Sequence, residues 1–182
     1  HVNGRPTIGI LGYTVTAEPE GADVAVLNTC GFIESAKSEA IDNILALAQL
    51  KADGRLGKLL VAGCLSQRYQ GELLEELPEV DGILGTGSYT DIVPAIQAVM
   101  EGDEPTFFGD IDHTIEDGSR MVTTPPYTAY LKIAEGCDNR CAYCVIPSLR
   151  GRYRSRSMES LLAEAAGLAE QGVKELIVIA QD

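Results

Sequence analysis

The stretch Thr128-Ala-Tyr-Leu-Lys-Ile-Ala-Glu-Gly-Cys-Asp-Asn-Arg-Cys-Ala-Tyr-Cys144 carries a mostly apolar run straight into a loop with three cysteines. The run at 128–134 predicts a β-strand. A helical pattern follows at 158–171, closed by Gly172, and a second apolar run at 175–180 predicts another strand. A strand, a helix and a strand in this order are typical of a parallel sheet covered by helices.

The same alternation extends through the rest of the chain. Apolar runs at 7–11, 23–27, 58–62 and 82–84 predict strands. Three predicted helices each have one apolar face, formed by Ile41, Ile44, Leu45 and Ala48; by Leu65, Tyr69, Leu73 and Leu77; and by Ile92, Ile96, Val99 and Met100. The sequence therefore predicts an α/β domain with a parallel sheet at 1–102, an acidic linker at 103–126, and the beginning of a second domain at 127–182.

Composition and charge narrow the class of protein. The 182 residues carry a net charge of −13, which argues against a general nucleic-acid-binding surface, because Lys and Arg make the phosphate contacts. No apolar run reaches the roughly 18 residues of a membrane span, and residues 1–12 lack the features of a signal peptide, so we expect a cytoplasmic protein with no membrane contact. Five cysteines, three of them crowded into 137–144, fit metal ligands in a reducing compartment better than disulfides.

Cys137, Cys141 and Cys144 are separated by three and two residues. A loop this short can place three thiolates on three corners of a four-iron cluster and leave the fourth iron without a protein ligand. A structural zinc site or a ferredoxin cluster requires a fourth ligand, and His113 is distant in sequence. The spacing favours an iron that binds a substrate or cofactor directly, with an incidental zinc loop as the alternative.

This spacing, with the aromatic Tyr143 before the last cysteine, closely resembles the signature of the radical S-adenosylmethionine (SAM) superfamily. The resemblance implies a partial (β/α) barrel whose first strand delivers the loop at its C-terminal end, where barrel enzymes build their active sites. It implies a 4Fe–4S cluster on Cys137, Cys141 and Cys144, SAM chelated at the open iron, and adenine beside Tyr143. An electron from the cluster would cleave SAM into methionine and a 5′-deoxyadenosyl radical.

The other two cysteines, Cys30 and Cys64, each follow a predicted strand, at 23–27 and 58–62. If these strands are parallel neighbours, about 5 Å apart, the two thiols lie at one edge of the sheet and can share a ligand. Free cysteine is also a common small core residue. The residues alone leave both interpretations open.

Two segments that precede the cysteine loop resemble sequences of the methylthiotransferases. They are Asn28-Thr-Cys-Gly-Phe-Ile-Glu-Ser-Ala-Lys37 and Ala62-Gly-Cys-Leu-Ser-Gln-Arg-Tyr69. In that family three cysteines of the N-terminal domain bind an auxiliary 4Fe–4S cluster, and Cys30 and Cys64 match two of them. The resemblance therefore implies two 4Fe–4S clusters and two uses of SAM. One use donates a methyl group to sulfur at the auxiliary cluster, and the other generates the radical that abstracts hydrogen from the substrate carbon.

Within this family, two segments are most similar to the branch that modifies a ribosomal protein. They are residues 31–37 and Ile146-Pro-Ser-Leu-Arg-Gly-Arg-Tyr-Arg-Ser-Arg156. That branch adds a methylthio group to the β-carbon of an aspartate in small-subunit ribosomal protein twelve. The resemblance implies this substrate, an electron donor of the flavodoxin or ferredoxin type, and RNA or protein contact through a C-terminal domain missing here. Two alternatives stay open: a methylthiotransferase acting on an adenosine of transfer RNA, and a non-catalytic iron–sulfur or zinc module.

Arg150, Arg152, Arg154 and Arg156 follow the loop and oppose the sign of the net charge. They predict either contacts to SAM or to an acidic acceptor, or a solvated segment that neutralises its surroundings. For any single arginine we favour the second. The short Gly85-Thr-Gly87 segment is interpreted as a turn and not as a nucleotide-binding loop.

The resemblance is incomplete near the start of the chain. The family's first cysteine, in a Gly-Cys-x-x-Asn phrase after the opening strand, has no counterpart, and Gly9-Ile-Leu-Gly-Tyr13 runs from one predicted strand into another. Either a segment that carries this cysteine is missing at this point, or the auxiliary cluster has lost its third ligand.

Overall fold

Strands alternate with helices along the chain, and the computed structural model describes residues 9–10, 13–16, 18–113 and 124–182. The chain folds into two compact units, His1–Asp110 and Ile111–Asp182. The boundary between the units falls inside the predicted linker at 103–126. Within the described residues, no helix combines the length and the apolarity that crossing a membrane would require.

The first unit contains six strands, four α-helices and a short 3-10 helix at Tyr89–Asp91 among its described residues. In chain order the strands and α-helices are β1 (Gly9–Ile10), β2 (Tyr13–Thr14), β3 (Val24–Thr29), α1 (Glu34–Ala52), β4 (Lys58–Gly63), α2 (Cys64–Tyr69), α3 (Gly71–Glu76), β5 (Gly82–Leu84), α4 (Ile92–Glu101) and β6 (Thr106–Phe107).

A four-stranded parallel sheet forms the centre of this unit, with the order β3-β4-β5-β6. The strands predicted at 23–27, 58–62 and 82–84 are confirmed as its first three members. Strand β6 was not predicted, because two residues are too short to show any alternation. Parallel strands joined by helices confirm the predicted α/β class.

The strand predicted at 7–11 does not join the parallel sheet within the described residues. Gly9–Ile10 pairs antiparallel with Tyr13–Thr14, and the remainder of the predicted strand lies outside the described residues. Two residues separate these strands, whereas a parallel crossover needs a dozen or more, so only a hairpin is possible.

Strand β4 is buried on both faces, which is why the sequence shows a continuous apolar run there. On one face Leu59 and Val61 belong to a hydrophobic cluster with Ile44 of α1. On the other face Leu60 and Ala62 belong to a cluster that includes Ala95 and Val99 of α4. These two layers of helices hold the C-terminal ends of β3 and β4 in place.

The single helix predicted over Leu65 to Leu77 is divided into α2 and α3. Gln70 lies between them with φ 45°, outside the right-handed helical region. Leu65 and Leu73, on either side of the break, both enter the same hydrophobic cluster. Spacing of apolar residues cannot reveal such a break, because both short helices keep the helical period.

Asp81 ties the N-terminal edge of the sheet together. Its carboxylate accepts hydrogen bonds from the Leu59 N–H at 2.8 Å and from the Nζ atoms of Lys51 at 2.6 Å and Lys58 at 3.1 Å. Partial burial alone would raise the pKa of the Asp81 carboxyl. The hydrogen bonds from Lys51, Leu59 and Lys58 outweigh this effect and hold the pKa below its usual range.

We expect Asp81→Asn to lower the free energy of unfolding by about 1–2 kcal/mol at neutral pH. Because the folded-state pKa is depressed, this stabilisation is complete above the unfolded-state pKa of about 3.9 and is lost as the pH falls through the folded-state value. Denaturant unfolding of both proteins from pH 7 to pH 3 should therefore show the curves converging at acid pH. Glu20→Gln, which removes an exposed ion pair with Arg55, is the control and should change nothing measurable.

The second unit is built around a pair of parallel strands. Its elements are β7 (Thr128–Lys132), β8 (Ala134–Glu135), α5 (Ile146–Arg150), β9 (Arg154–Ser155), α6 (Met158–Glu170) and β10 (Glu175–Ile179). Strands β7 and β10 pair in parallel register, with Thr128 opposite Glu175. Leu168 of α6 and Val173, which lies between α6 and β10, pack against Ala129 of β7. The strand–helix–strand pattern of the second domain is thus confirmed.

The strand predicted at 128–134 is interrupted at Ile133. Beyond this residue β8 pairs antiparallel with β9, placing Ala134 opposite Ser155 and Glu135 opposite Arg154. The segment after the cysteines therefore returns alongside the segment before them. The cysteine loop becomes a closed loop whose base is a short two-stranded sheet.

Candidate functional site

The cysteine loop begins at the C-terminal end of β8, the short strand that follows β7 in the chain. Cys137 is buried with 8% of its surface exposed, Cys144 is half-buried, and Cys141 is exposed. The Cys144 N–H donates to the Cys141 carbonyl at 3.0 Å, which closes a turn between these two residues. The Cys137 N–H donates to the Gly151 carbonyl at 3.2 Å. The backbone of the loop is thus fixed at its start and folded tightly at its end.

Two glycines allow the ends of the loop to approach. Gly136 has φ +78°, and a Cβ atom there would lie 2.0 Å from the Arg152 carbonyl oxygen. Gly151 has φ +73°, and its Cβ would lie 2.3 Å from an Asp112 side-chain oxygen and 2.6 Å from the Ile111 carbonyl. A side chain at Gly136 would collide with backbone, so this position requires glycine.

Glu135 is a buried carboxylate, 7% exposed, two residues before the first cysteine of the loop. It forms ion pairs with Lys132 on its own side and with Arg150, 3.2 Å away, on the far side of the loop. A buried carboxylate is stable only when it is paired in this way. The pair Glu135–Arg150 therefore joins the two sides of the cysteine loop.

Three of the arginines that follow the loop form ion pairs with carboxylates of the same unit. Arg154 lies 3.4 Å from an Asp112 oxygen, and Arg156 pairs with Glu164 and donates to the Lys132 carbonyl. Arg152 is exposed. The contacts of Arg150, Arg154 and Arg156 agree with the charge-neutralising interpretation, although in place of a solvated segment they form specific ion pairs.

The donor set of the loop fits an iron–sulfur cluster in its chemistry. All three thiols are free of disulfides, and thiolates are the ligands that such clusters require. Their present arrangement is not a finished metal site: in the part of the chain that the structure describes, no three or more His, Cys, Asp or Glu side chains are grouped to hold a metal ion. Cluster binding would therefore require the three thiols of the loop to come closer together.

Tyr143, predicted to lie beside the adenine of SAM, is 92% exposed. No described side chain covers it, so its ring is accessible to a ligand. Its role stays a prediction.

Cys30 and Cys64 lie at one edge of the parallel sheet, as the sequence predicts for neighbouring strands. The last register pair of β3 and β4 joins Thr29 with Gly63, and each cysteine is the next residue along its strand. Cys30 is exposed and Cys64 is buried. The structure thus brings these two residues to adjacent positions, while the opening hairpin, where the family's third cysteine is expected, is described only in part.

Backbone contacts around Gly31 hold the Cys30 segment against Cys64. A Cβ atom at Gly31 would lie 2.9 Å from the Cys64 carbonyl oxygen. Arg68 of α2 donates from Nη1 to the Gly31 carbonyl at 2.9 Å. Sequence patterns do not reveal this role of Arg68, because its partner lies 37 residues away.

The turn at Gly85-Thr-Gly87 belongs to the same sheet edge, as the next strand end after Cys64. The Gln67 Oε1 atom accepts the Thr86 N–H at 3.0 Å, and a Cβ at Gly85 would lie 2.2 Å from that oxygen. This segment is a turn, as expected. The glycine at its start leaves room for Gln67 of α2.

Two family models match the chain. The first, described as Uncharacterized protein family UPF0004, covers residues 7–85, and the second, the Radical SAM superfamily, covers residues 131–182. The first match contains Cys30 and Cys64, and the second contains the cysteine loop. The two matches therefore coincide with the two cysteine-bearing regions.

Curated relatives extend over the whole chain. It is 51% identical over 186 residues to the ribosomal protein uS12 methylthiotransferase RimO of Pelotomaculum thermopropionicum, covering 100% of this chain and 42% of the relative. The protein of the same name from Clostridioides difficile is 52% identical over 185 residues, with the same coverage. The one from a Thermoanaerobacter species is 50% identical over 172 residues, covering 94% of this chain and 39% of the relative.

The chain thus spans 42% of the length of the first two of these relatives. The match to these relatives extends over both units and includes both cysteine regions. The chain belongs to the radical SAM methylthiotransferase family.

Proposed function

We propose that this protein is a radical SAM methylthiotransferase that adds a methylthio group to the β-carbon of an aspartate in ribosomal protein uS12. The observation that carries the proposal is identity of about half the residues, over the whole chain, to relatives named as uS12 methylthiotransferases. The family implies SAM and iron–sulfur chemistry, and we propose two 4Fe–4S clusters, one for each cysteine region.

In the second unit, Cys137, Cys141 and Cys144 would hold the cluster that reacts with SAM. When bound, such a cluster supplies the electron that cleaves the sulfonium cofactor. The chain's own contribution is to fix the loop: the Gly151 carbonyl holds the Cys137 N–H, and the Glu135–Arg150 pair joins the two sides of the loop. Exposed Tyr143 would contact the adenine.

In the first unit, Cys30 and Cys64 would hold the auxiliary cluster from which sulfur is transferred. Their support is the register of β3 and β4, which places the two residues side by side at the C-terminal edge of the sheet. Open α/β sheets bind ligands at this edge. The family's third cysteine ligand has no counterpart in the sequence, and Cys30 and Cys64 are the two ligands that this chain would supply.

The proposed substrate agrees with the charge of the chain. A net charge of −13 would attract a basic ribosomal protein and speed its encounter with the enzyme. The proposed location is the cytoplasm, and the proposed electron donor is a flavodoxin or a ferredoxin.

The test reconstitutes the protein with iron and sulfide without oxygen and supplies SAM, a reductant and purified uS12. We expect 5′-deoxyadenosine and a uS12 whose mass has increased by one methylthio group on an aspartate. In Cys30→Ser/Cys64→Ser protein, deoxyadenosine should still form while methylthio transfer is lost, because only the sulfur-presenting site has been removed.

Two results would overturn the proposal. Methylthiolation of transfer RNA with unmodified uS12 would assign the protein to the sister branch. Tight zinc binding with no deoxyadenosine at all would indicate a non-catalytic metal module.

A further inference from the structure

Strand β10 ends beside the start of the cysteine loop. It runs parallel to β7, and the Ile133 N–H, just past β7, donates to the Ile179 carbonyl at 3.0 Å. Gln181 lies two residues beyond β10 and is half-buried. Its side chain is therefore held at the edge from which the loop departs.

The Gln181 Oε1 atom accepts the N–H of Gly136 at 2.9 Å. Gly136 is buried and directly precedes Cys137, and its φ of +78° takes it out of the strand conformation. Strand β8 ends at Glu135, so its ladder with β9 provides no partner at this position. A buried N–H requires an acceptor, and a distant side chain supplies it.

Asp182, the residue after Gln181, makes a second contact, on the other side of Cys137. Asn139 donates from Nδ2 to an Asp182 side-chain oxygen at 2.8 Å. Two consecutive residues after β10 thus hold the chain both before and after Cys137. The Cys137 N–H itself donates to the Gly151 carbonyl, so hydrogen bonds fix the backbone at two consecutive residues, 136 and 137, and the contact between the Asn139 and Asp182 side chains adds a third link.

We propose that Gln181 is a positioning residue that sets the orientation of Cys137 for metal binding, an inference that rests on the proposed function of the loop. Gln181 has no thiol and is not a metal ligand here. It acts through the Gly136 N–H, which fixes the peptide that leads into Cys137. A neutral amide oxygen serves this purpose without adding negative charge beside three thiolates.

The test compares Gln181→Leu, which lacks the acceptor, with Gln181→Glu, which keeps an acceptor oxygen. Gln171→Leu is the matched control, because Gln171 is exposed and its side chain donates to the Gly167 carbonyl of the adjoining helix. Each protein is reconstituted with iron and sulfide, and iron retention is measured against a chelator. The electron paramagnetic resonance spectrum of the reduced cluster and the melting temperature of the metal-free protein are also recorded.

We expect Gln181→Leu to weaken iron retention about 10- to 100-fold, as the loss of a contact that orients a ligand does. The cluster that remains should have an altered resonance spectrum. Gln181→Glu should recover part of the retention, and Gln171→Leu should match the unchanged protein. Metal-free Gln181→Leu should melt at a somewhat lower temperature than the unchanged protein, because the buried Gly136 N–H loses its acceptor, while Gln171→Leu should not.

Iron retention and spectrum unchanged in Gln181→Leu would overturn the inference and leave the proposed function intact. A loss of retention that Gln171→Leu reproduces, or that Gly172→Ala reproduces at a similar fall in melting temperature, would also overturn it, because the effect would then be general destabilisation. If the unchanged protein binds no iron–sulfur cluster, the proposed function itself fails, and the two failures are therefore distinguishable.

Discussion

Cys141→Ala protein, reconstituted without oxygen, is expected to produce no 5′-deoxyadenosine from SAM above the background of the reductant alone. In the proposed function the loop would supply three thiolate ligands to a cubane cluster, and removing one would leave two protein ligands and two open irons. Cys141 is exposed, so the substitution removes a ligand without opening a cavity in a core. The measurement is deoxyadenosine by chromatography, together with iron and sulfide per protein.

Cys30→Ala provides the matched control for this experiment. It removes an exposed cysteine of the other unit, at the end of β3, and should leave SAM cleavage at the original rate. Deoxyadenosine formed at the original rate by the Cys141→Ala protein would show that the loop does not hold the reactive cluster. Loss in both variants would show that the two cysteine regions do not act separately.

The sequence predicted the parallel sheet because burial on both faces is visible in a single chain. The run Lys58–Gly63 is apolar throughout most of its length, as a central strand must be, and β3 and β5 flank it. Features that depend on short or irregular backbone were missed. Strands β6, β8 and β9 are each two residues long, and the break at Gln70 leaves the apolar period intact.

The candidate site shows the same division between local and distant information. Cysteine spacing is local in sequence, so the spacing alone is enough to propose Cys137, Cys141 and Cys144 as ligands. The contacts that hold the loop are not local: Gln181 reaches Gly136 across 45 residues, and Arg150 reaches Glu135 across 15. No periodicity or spacing rule connects residues so far apart.

The arginine-rich segment illustrates why the chemical type of a residue is insufficient to assign its role. A guanidinium beside a predicted SAM site is compatible with a carboxylate of the ligand or with a carboxylate of the protein. The fold provides protein carboxylates at the right places, since β9 returns next to β8 and α6 follows directly. Arg156 therefore pairs with Glu164, and Arg150 with Glu135.

Gly136→Ala is expected to destabilise the second unit and to displace the cysteine loop. A non-glycine residue at φ +78° is strained, and the new Cβ would lie 2.0 Å from the Arg152 carbonyl oxygen and 2.6 Å from that of Gly151. Both obstacles are backbone atoms, so the strands on the two sides of the loop must separate. We expect a loss of about 3 kcal/mol or more in the free energy of unfolding.

Gly172→Ala separates backbone strain from steric collision as causes of the lost stability. Gly172 follows α6 with φ +97°, and nothing lies within 4 Å of the Cβ that alanine would add. Strain alone should cost about 1–2 kcal/mol there. Denaturant unfolding of both variants measures the difference, and iron incorporation after reconstitution should fall in Gly136→Ala but not in Gly172→Ala. Equal losses of stability with equal iron contents would contradict the close approach of Gly136 and Arg152 and would leave the loop without its fixed base.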